Sequence, residues 1–166
     1  MKELLNQIMQ RLALVAALKY IDEDWGQLEY GSKPVQWPCA LINYGDAEWS
    51  NLSMKKQMGL ATITVTIAAQ KFGNTSLNAP AQQKESAFSI LDIINEVHLV
   101  IHGWKPEAAN SSMYRKSSQR VVRDDGIQEH VIRYQVQIKD EFVQTYNEAE
   151  STLPVIIEQI QDEETT

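Results

Sequence analysis

Hydrophobic positions fall first at helical spacing and then at every second residue. Leu5, Ile8, Leu12 and Val15 recur every three or four positions, with Glu3, Gln7, Gln10 and Arg11 off that stripe. This pattern predicts an amphipathic helix over residues 3–19. Residues 20–34 read as a polar connection carrying Trp25-Gly26 and Gly31-Ser32-Lys33-Pro34. From Val35 the period becomes two: Val35, Trp37, Cys39 and Leu41 alternate with Gln36, Pro38, Ala40 and Ile42. A strand to Asn43 is predicted. Pro38 has no N–H for a ladder, so the strand is expected at an edge or bulged there. Residues 44–58 read as a polar loop around Trp49.

Leu60 to Ala69 is the clearest strand, with Ile63, Val65 and Ile67 on one face and Thr62, Thr64 and Thr66 on the other. Phe72 to Pro80 is a turn-rich loop. A second helix is predicted from Pro80 to His102, with Pro80 suited to its first turn and Gly103 to the position past its end. Its broad apolar stripe, Ala87, Ile90, Leu91, Ile94, Val97, His98 and Ile101, predicts a helix lying along a sheet. Residues 113–123 and 127–139 predict a hairpin across Asp124-Asp125-Gly126. The expected fold is α+β, in the order α-β-β-α-β-β. It has a four-stranded antiparallel or mixed sheet with helices packed on one face, and a C-terminal extension.

Length and charge refine this picture. A chain of 166 residues, 43% of them hydrophobic, suits one domain with a real core. The net charge of −7 is lopsided: from Asp140 to Thr166 there are eight acidic residues and no Lys or Arg. We therefore expect a single α+β domain over residues 1–140 and an acidic extension over 141–166. Within that extension Ile156, Ile157 and Ile160 share one helical face, an apolar patch suited to a groove on a neighbour. No apolar run reaches the roughly 18 residues that span a bilayer, so no membrane partner is expected. The apolar stretch from Leu12 to Leu18 reads as part of the first helix rather than as a leader. With one cysteine, no internal disulfide can form, and an intracellular, soluble setting is expected.

Candidate chemistry is sparse. His98 and His102 stand four apart on a helix, but a catalytic zinc needs a third protein ligand, and none is near in sequence. Cys39 with His130 or His98 would be a nucleophile pair, yet its apolar neighbours raise a thiol pKa rather than lower it. No Gly-x-Ser-x-Gly elbow or phosphate loop is present. No catalytic residue, no metal and no cofactor is therefore expected. Arg115, Lys116, Arg120, Arg123 and Arg133 make the hairpin basic, but stacking aromatics are too few for a nucleic-acid surface. Arg115, Arg120 and Arg123 are instead candidates to meet an acidic neighbour, and Trp25 and Trp49 are candidate interface anchors in long connections.

The order of elements resembles the tail-terminator, or tail-completion, proteins of long-tailed phages. The resemblance covers residues 3–140. It rests on the first helix, the strand Val35-Gln36-Trp37-Pro38-Cys39-Ala40-Leu41-Ile42, and the Thr-rich strand from Ala61 to Ala69. The helix ending in Ile101-His102-Gly103-Trp104 and the hairpin with Asp124-Asp125-Gly126 complete it. It implies a non-enzymatic protein that forms a ring, a hexamer in that family. Such a ring caps the tail tube and offers a docking surface to the head. Implied partners are further copies of itself, a tail-tube protein and a head-completion protein. The implied locations are the bacterial cytoplasm during assembly and then the virion tail. Alternatives are another head–tail connector or tube component, a small-molecule-binding or enzymatic α+β domain, and a dimeric adaptor. Fold analogy alone does not choose among them.

Overall fold

The computed structural model describes residues 1–53, 56–71 and 73–141. The acidic extension, with Ile156 and Ile160, lies outside the described residues. The elements are α1 (Lys2–Leu12), β1 (Tyr20–Glu23), a 3-10 turn (Gln27–Glu29), β2 (Cys39–Ser53), β3 (Lys56–Gln70), α2 (Ala81–Ile101), β4 (Tyr114–Val121) and β5 (Ile127–Glu141). The fold is α+β, with two helices on a mixed five-stranded sheet in the order β1-β2-β3-β5-β4. β1 runs parallel to β2, and the other pairs are antiparallel.

The sheet departs from expectation in two places. It has five strands rather than four, because Tyr20–Glu23 pairs with Cys39–Ile42. Asp22 and Glu23 break the apolar alternation there, so the backbone pairing left no side-chain pattern. The predicted polar loop over residues 44–58 is also strand on both sides: β2 continues to Ser53 and β3 begins at Lys56. Beyond Ile42 most β2 side chains are exposed on both faces, so period-two burial, the usual mark of a strand, is absent. The backbone ladder, not burial, makes these residues strand. Pro38 stands just before β2 rather than within it, which leaves the ladder intact.

The first helix is shorter than predicted. It ends at Leu12, and turns carry the chain on so that Val15 still reaches the core. α2 and the hairpin match their predicted spans closely. Gly103 and Gly126 both adopt positive φ, of 79° and 76°, at the helix end and in the hairpin turn.

The main core lies between the helices and one sheet face. Leu4, Ile8 and Leu12 of α1 and Ile90, Ile94, Val97 and Ile101 of α2 pack on Ile42, Ile63, Val65, Ile132, Tyr134 and Val136. Each such side chain contributes about 1.5–3 kcal/mol by leaving water. Arg11 ties the two helices, donating from Nε to the Val100 carbonyl at 2.8 Å and stacking over Trp104. The opposite face is covered at one end only. There Leu28, Val35 and Trp37 of the segment between β1 and β2 cover Cys39, Leu41, Ala68 and Ile127. The rest of that face, with Thr62, Thr64, Arg133, Gln135 and Gln137, is half-buried or exposed.

Arg123 pins this cover to the hairpin turn. Its guanidinium donates to Asp125 at 2.9 Å, Glu129 at 2.8 Å, Glu29 at 2.9 Å and the Leu28 carbonyl at 2.9 Å. Lys33 adds a contact to Asp125 at 3.1 Å. Asp125 first, then Glu129 and Glu29, raise the basicity of Arg123, and Arg123 in turn holds the Asp125 carboxyl well below the usual range. Arg123 is thus turned inward, with a side chain 14% exposed. Arg123→Ala strands the part-buried Glu129 carboxylate and is expected to cost about 2–3 kcal/mol. Urea unfolding checks this. A midpoint equal to the wild type's shows that the clamp contributes nothing.

Candidate interaction surfaces

The residues that suggested chemistry are held in unreactive settings. The His98 and His102 rings stack, with centroids 4.7 Å apart. The His102 Nδ1 accepts the Arg115 backbone N–H at 3.2 Å, so that nitrogen is already engaged. Burial, then the positive charge of Arg115, then His102, lower the pKa of His98. The same conditions oppose a bound cation, and among the described residues no three His, Cys, Asp or Glu side chains converge. The His98 Nδ1 and the Tyr134 hydroxyl are buried without a hydrogen-bond partner among the described residues. Cys39 is fully buried, and burial above all pushes its thiol up to about 12. At neutral pH it is a small hydrophobe.

One Ser–His contact that sequence spacing did not reveal forms across the hairpin: Ser118 Oγ lies 2.7 Å from His130 Nε2. Cross-strand register places both on the helix-facing side, next to Arg120. The adjacent Glu129 is bound to Arg123, so it does not orient the imidazole. Burial, then Arg115 and Arg120, lower the pKa of His130. A nucleophile pair without a third orienting group is a weak catalyst.

The two edges of the sheet differ in character. On one side, β1 pairs with β2 only as far as Ile42, so among the described residues no strand pairs with the outer edge of β2 from Asn43 to Ser53. This edge carries a register shift between Tyr44 and Ala47 and the exposed carboxylates of Asp46 and Glu48. Glu23 and Asp24 continue the acidic row toward β1. Trp49 stands on this edge, 44% exposed. Its ring lies across Gly59 on β3, where an added Cβ would meet the ring at 3.0 Å and Ile138 at 3.1 Å. Trp25, 53% exposed, packs edge-on against Tyr30 at 5.6 Å and donates its indole N–H to Asp22 at 3.4 Å. The other side of the sheet is β4, where Arg115, Lys116 and Arg120 are all exposed. Trp25, just after β1, and Trp49, on β2, thus lie on one side of the sheet in separate settings, Arg115 and Arg120 lie on β4 at the other side, and Arg123 is apart in its clamp.

Beside β4 lies a cleft of about 130 Å³ between the first half of α2 and the sheet. Phe88, Leu91 and Ile94 form one wall, and Lys71, Arg120 and His130 stand opposite. Gly73 closes the loop against α2: a Cβ there would strike the Gln83 carbonyl and lie 2.7 Å from the Ala87 Cβ.

Two predictions arise. His98 and His130 both have folded pKa values below the ordinary 6.5, so the unfolded chain binds more protons as pH falls through that value. Their contribution to stability is present above pH 6.5 and is lost as pH drops toward their lowered folded values. The Tm is expected to fall by several degrees between pH 7.5 and 5.5, and by less in His98→Asn. An equal fall in both proteins removes His98 as the cause. Elemental analysis after purification without chelator is expected to give no stoichiometric zinc, iron or manganese. One metal per chain, lost in His98→Ala, gives the opposite answer.

No protein-family model matches the chain, and no curated protein matches it in sequence. Among solved structures, one chain of the virion of a native gene transfer agent particle aligns with 83% of this chain and 96% of its own length. The TM-score is 0.49 and the identity 8%. A likeness of that size carries no argument about function.

Proposed function

We propose that this chain is a non-enzymatic structural component of a phage or prophage tail, assembling with copies of itself into a ring. That ring ends the tail tube and presents a surface to the head. The observation that carries the reading is the contrast between the sheet edges. One, unpaired among the described residues, is acidic and aromatic, with Asp46, Glu48 and Trp49; the other is basic, with Arg115, Lys116 and Arg120. A ring requires that one surface of a subunit meet a different surface of the next. Opposite charge on the two edges favours that contact and steers it. The tail assignment, a six-fold ring, and the tube and head partners come from the family resemblance. Buried Cys39 and the engaged His102 favour a non-enzymatic role.

Light scattering over a concentration series, with and without purified tail tubes, tests assembly. A strict monomer under every condition sinks the proposal, and open-ended stacking points to a tube component or connector instead. Charge reversal tests the contact itself. Asp46→Lys with Glu48→Lys, or Arg115→Glu with Arg120→Glu, is expected to weaken assembly about 5- to 10-fold per edge, as for a few exposed ion pairs. Mixing the two variants is expected to restore it through the swapped pair. Failure of the mixture to recover shows that the edges do not meet.

A further inference from the structure

We infer that the cleft between α2 and the β4–β5 hairpin receives the acidic, isoleucine-bearing segment around Ile156–Ile160 from an adjacent copy of the chain. This rests on the self-assembly proposed above and names a second contact within it. The cleft has two chemically different walls. Phe88 and Leu91 leave the α2 surface half-exposed, at 46% and 50%, although neither is needed to close the core. Lys71 and Arg120 face them, and among the described residues neither has an ion-pair partner. The one carboxylate nearby, Glu129, is already neutralised by Arg123 at 2.8 Å. The cleft is therefore apolar on one side and positive on the other.

The sequence beyond residue 141 has the complementary pattern. Val155, Ile156, Ile157 and Ile160 supply branched aliphatic groups, and Glu158, Asp162 and Glu163 supply negative charge without a single Lys or Arg. A volume of about 130 Å³ suits one such side chain, since an apolar cavity of about 150 Å³ holds a benzene. Aliphatic anchors with acidic flanks fit a groove that presents Phe88 and Leu91 beside Lys71 and Arg120.

Chain geometry favours the neighbour's segment over the chain's own. Glu141 ends β5, whereas the cleft sits near His130 at the strand's other end. Eleven strand residues separate them by about 36 Å. For an unstructured chain of the 15 residues from Glu141 to Ile156 the root-mean-square span would be only about 21 Å, so self-docking would need a chain stretched well past that length. The neighbour is better placed. The tip of its β3–β5 ladder, where Lys56 pairs with Glu141, lies at the end of the same open β2 edge proposed to meet β4. β4 carries Arg120 and borders the cleft, so a neighbour whose β2 edge lies along β4 starts its segment beside a strand of the cleft rather than at the far end of β5.

Site-directed cross-linking of full-length chains tests this, because Cys39 is fully buried and leaves introduced cysteines as the accessible thiols. A tagged copy bearing Leu91→Cys is mixed with an untagged copy bearing Ile157→Cys and treated with a short bismaleimide. A tagged–untagged covalent pair is expected. Its yield is expected to drop about five-fold with Lys71→Glu in the tagged copy, the effect of a partly exposed ion pair at a cleft residue outside the assembly edge. No pair, in a mixture that light scattering shows to be assembled, overturns the docking while leaving assembly intact. No pair and no assembly overturns both. A chain carrying both cysteines that links only within itself shows the cleft occupied by its own segment and also overturns the inference. Circular dichroism of each variant confirms that it is folded before the yields are compared.

Discussion

The architecture depends on β3 being paired along its whole length with β5 and along most of it with β2. Every residue from Lys56 to Gln70 has a partner on β5, and most have one on β2. Fifteen strand residues extend about 50 Å, whereas the 21 residues of α2 cover about 32 Å. The sheet therefore outruns the helices that bury it. Near the helices side-chain burial and backbone pairing act together. Past them the backbone ladder acts with little help, assisted by local contacts such as the Trp49 ring on Gly59.

The two faces of the sheet are stabilised differently. Aliphatic packing seals the helical face. The other face is sealed at one end by a crossing segment whose residues Leu28, Val35 and Trp37 supply apolar area. Arg123 keeps that segment in place by charge-assisted hydrogen bonds. Because the clamp joins the segment before β2 to the turn before β5, it couples the two outer parts of the sheet across β3.

Elements with side-chain periodicity were legible in the sequence, and those held by backbone pairing alone were not. α2 and the β4–β5 hairpin match because their apolar stripe, Gly103 and Gly126 each mark a physical requirement. β1 and the outer half of β2 carry no such mark, since Asp22, Glu23, Asp46 and Glu48 give no apolar rhythm. The same limit applied to the surfaces. Trp49 was recognisable as an unusual exposed aromatic, but its strand setting and its cover of Gly59 depend on cross-strand register. The inward turn of Arg123 and the Ser118–His130 contact likewise follow from pairing over distances that a one-dimensional reading does not reach.

An open strand edge is a hazard, because any other strand can hydrogen-bond to it. Here the hazard is filtered by sign. Two copies that approach with their Asp46 and Glu48 edges facing each other meet like charge, as do two copies that approach through Arg115, Lys116 and Arg120. Two-fold symmetric pairing, which would stop growth at a dimer, is thus penalised at either edge. In the proposed assembly only head-to-tail addition would bring opposite charges together, so each added subunit would leave an unused edge of each kind until a ring closed.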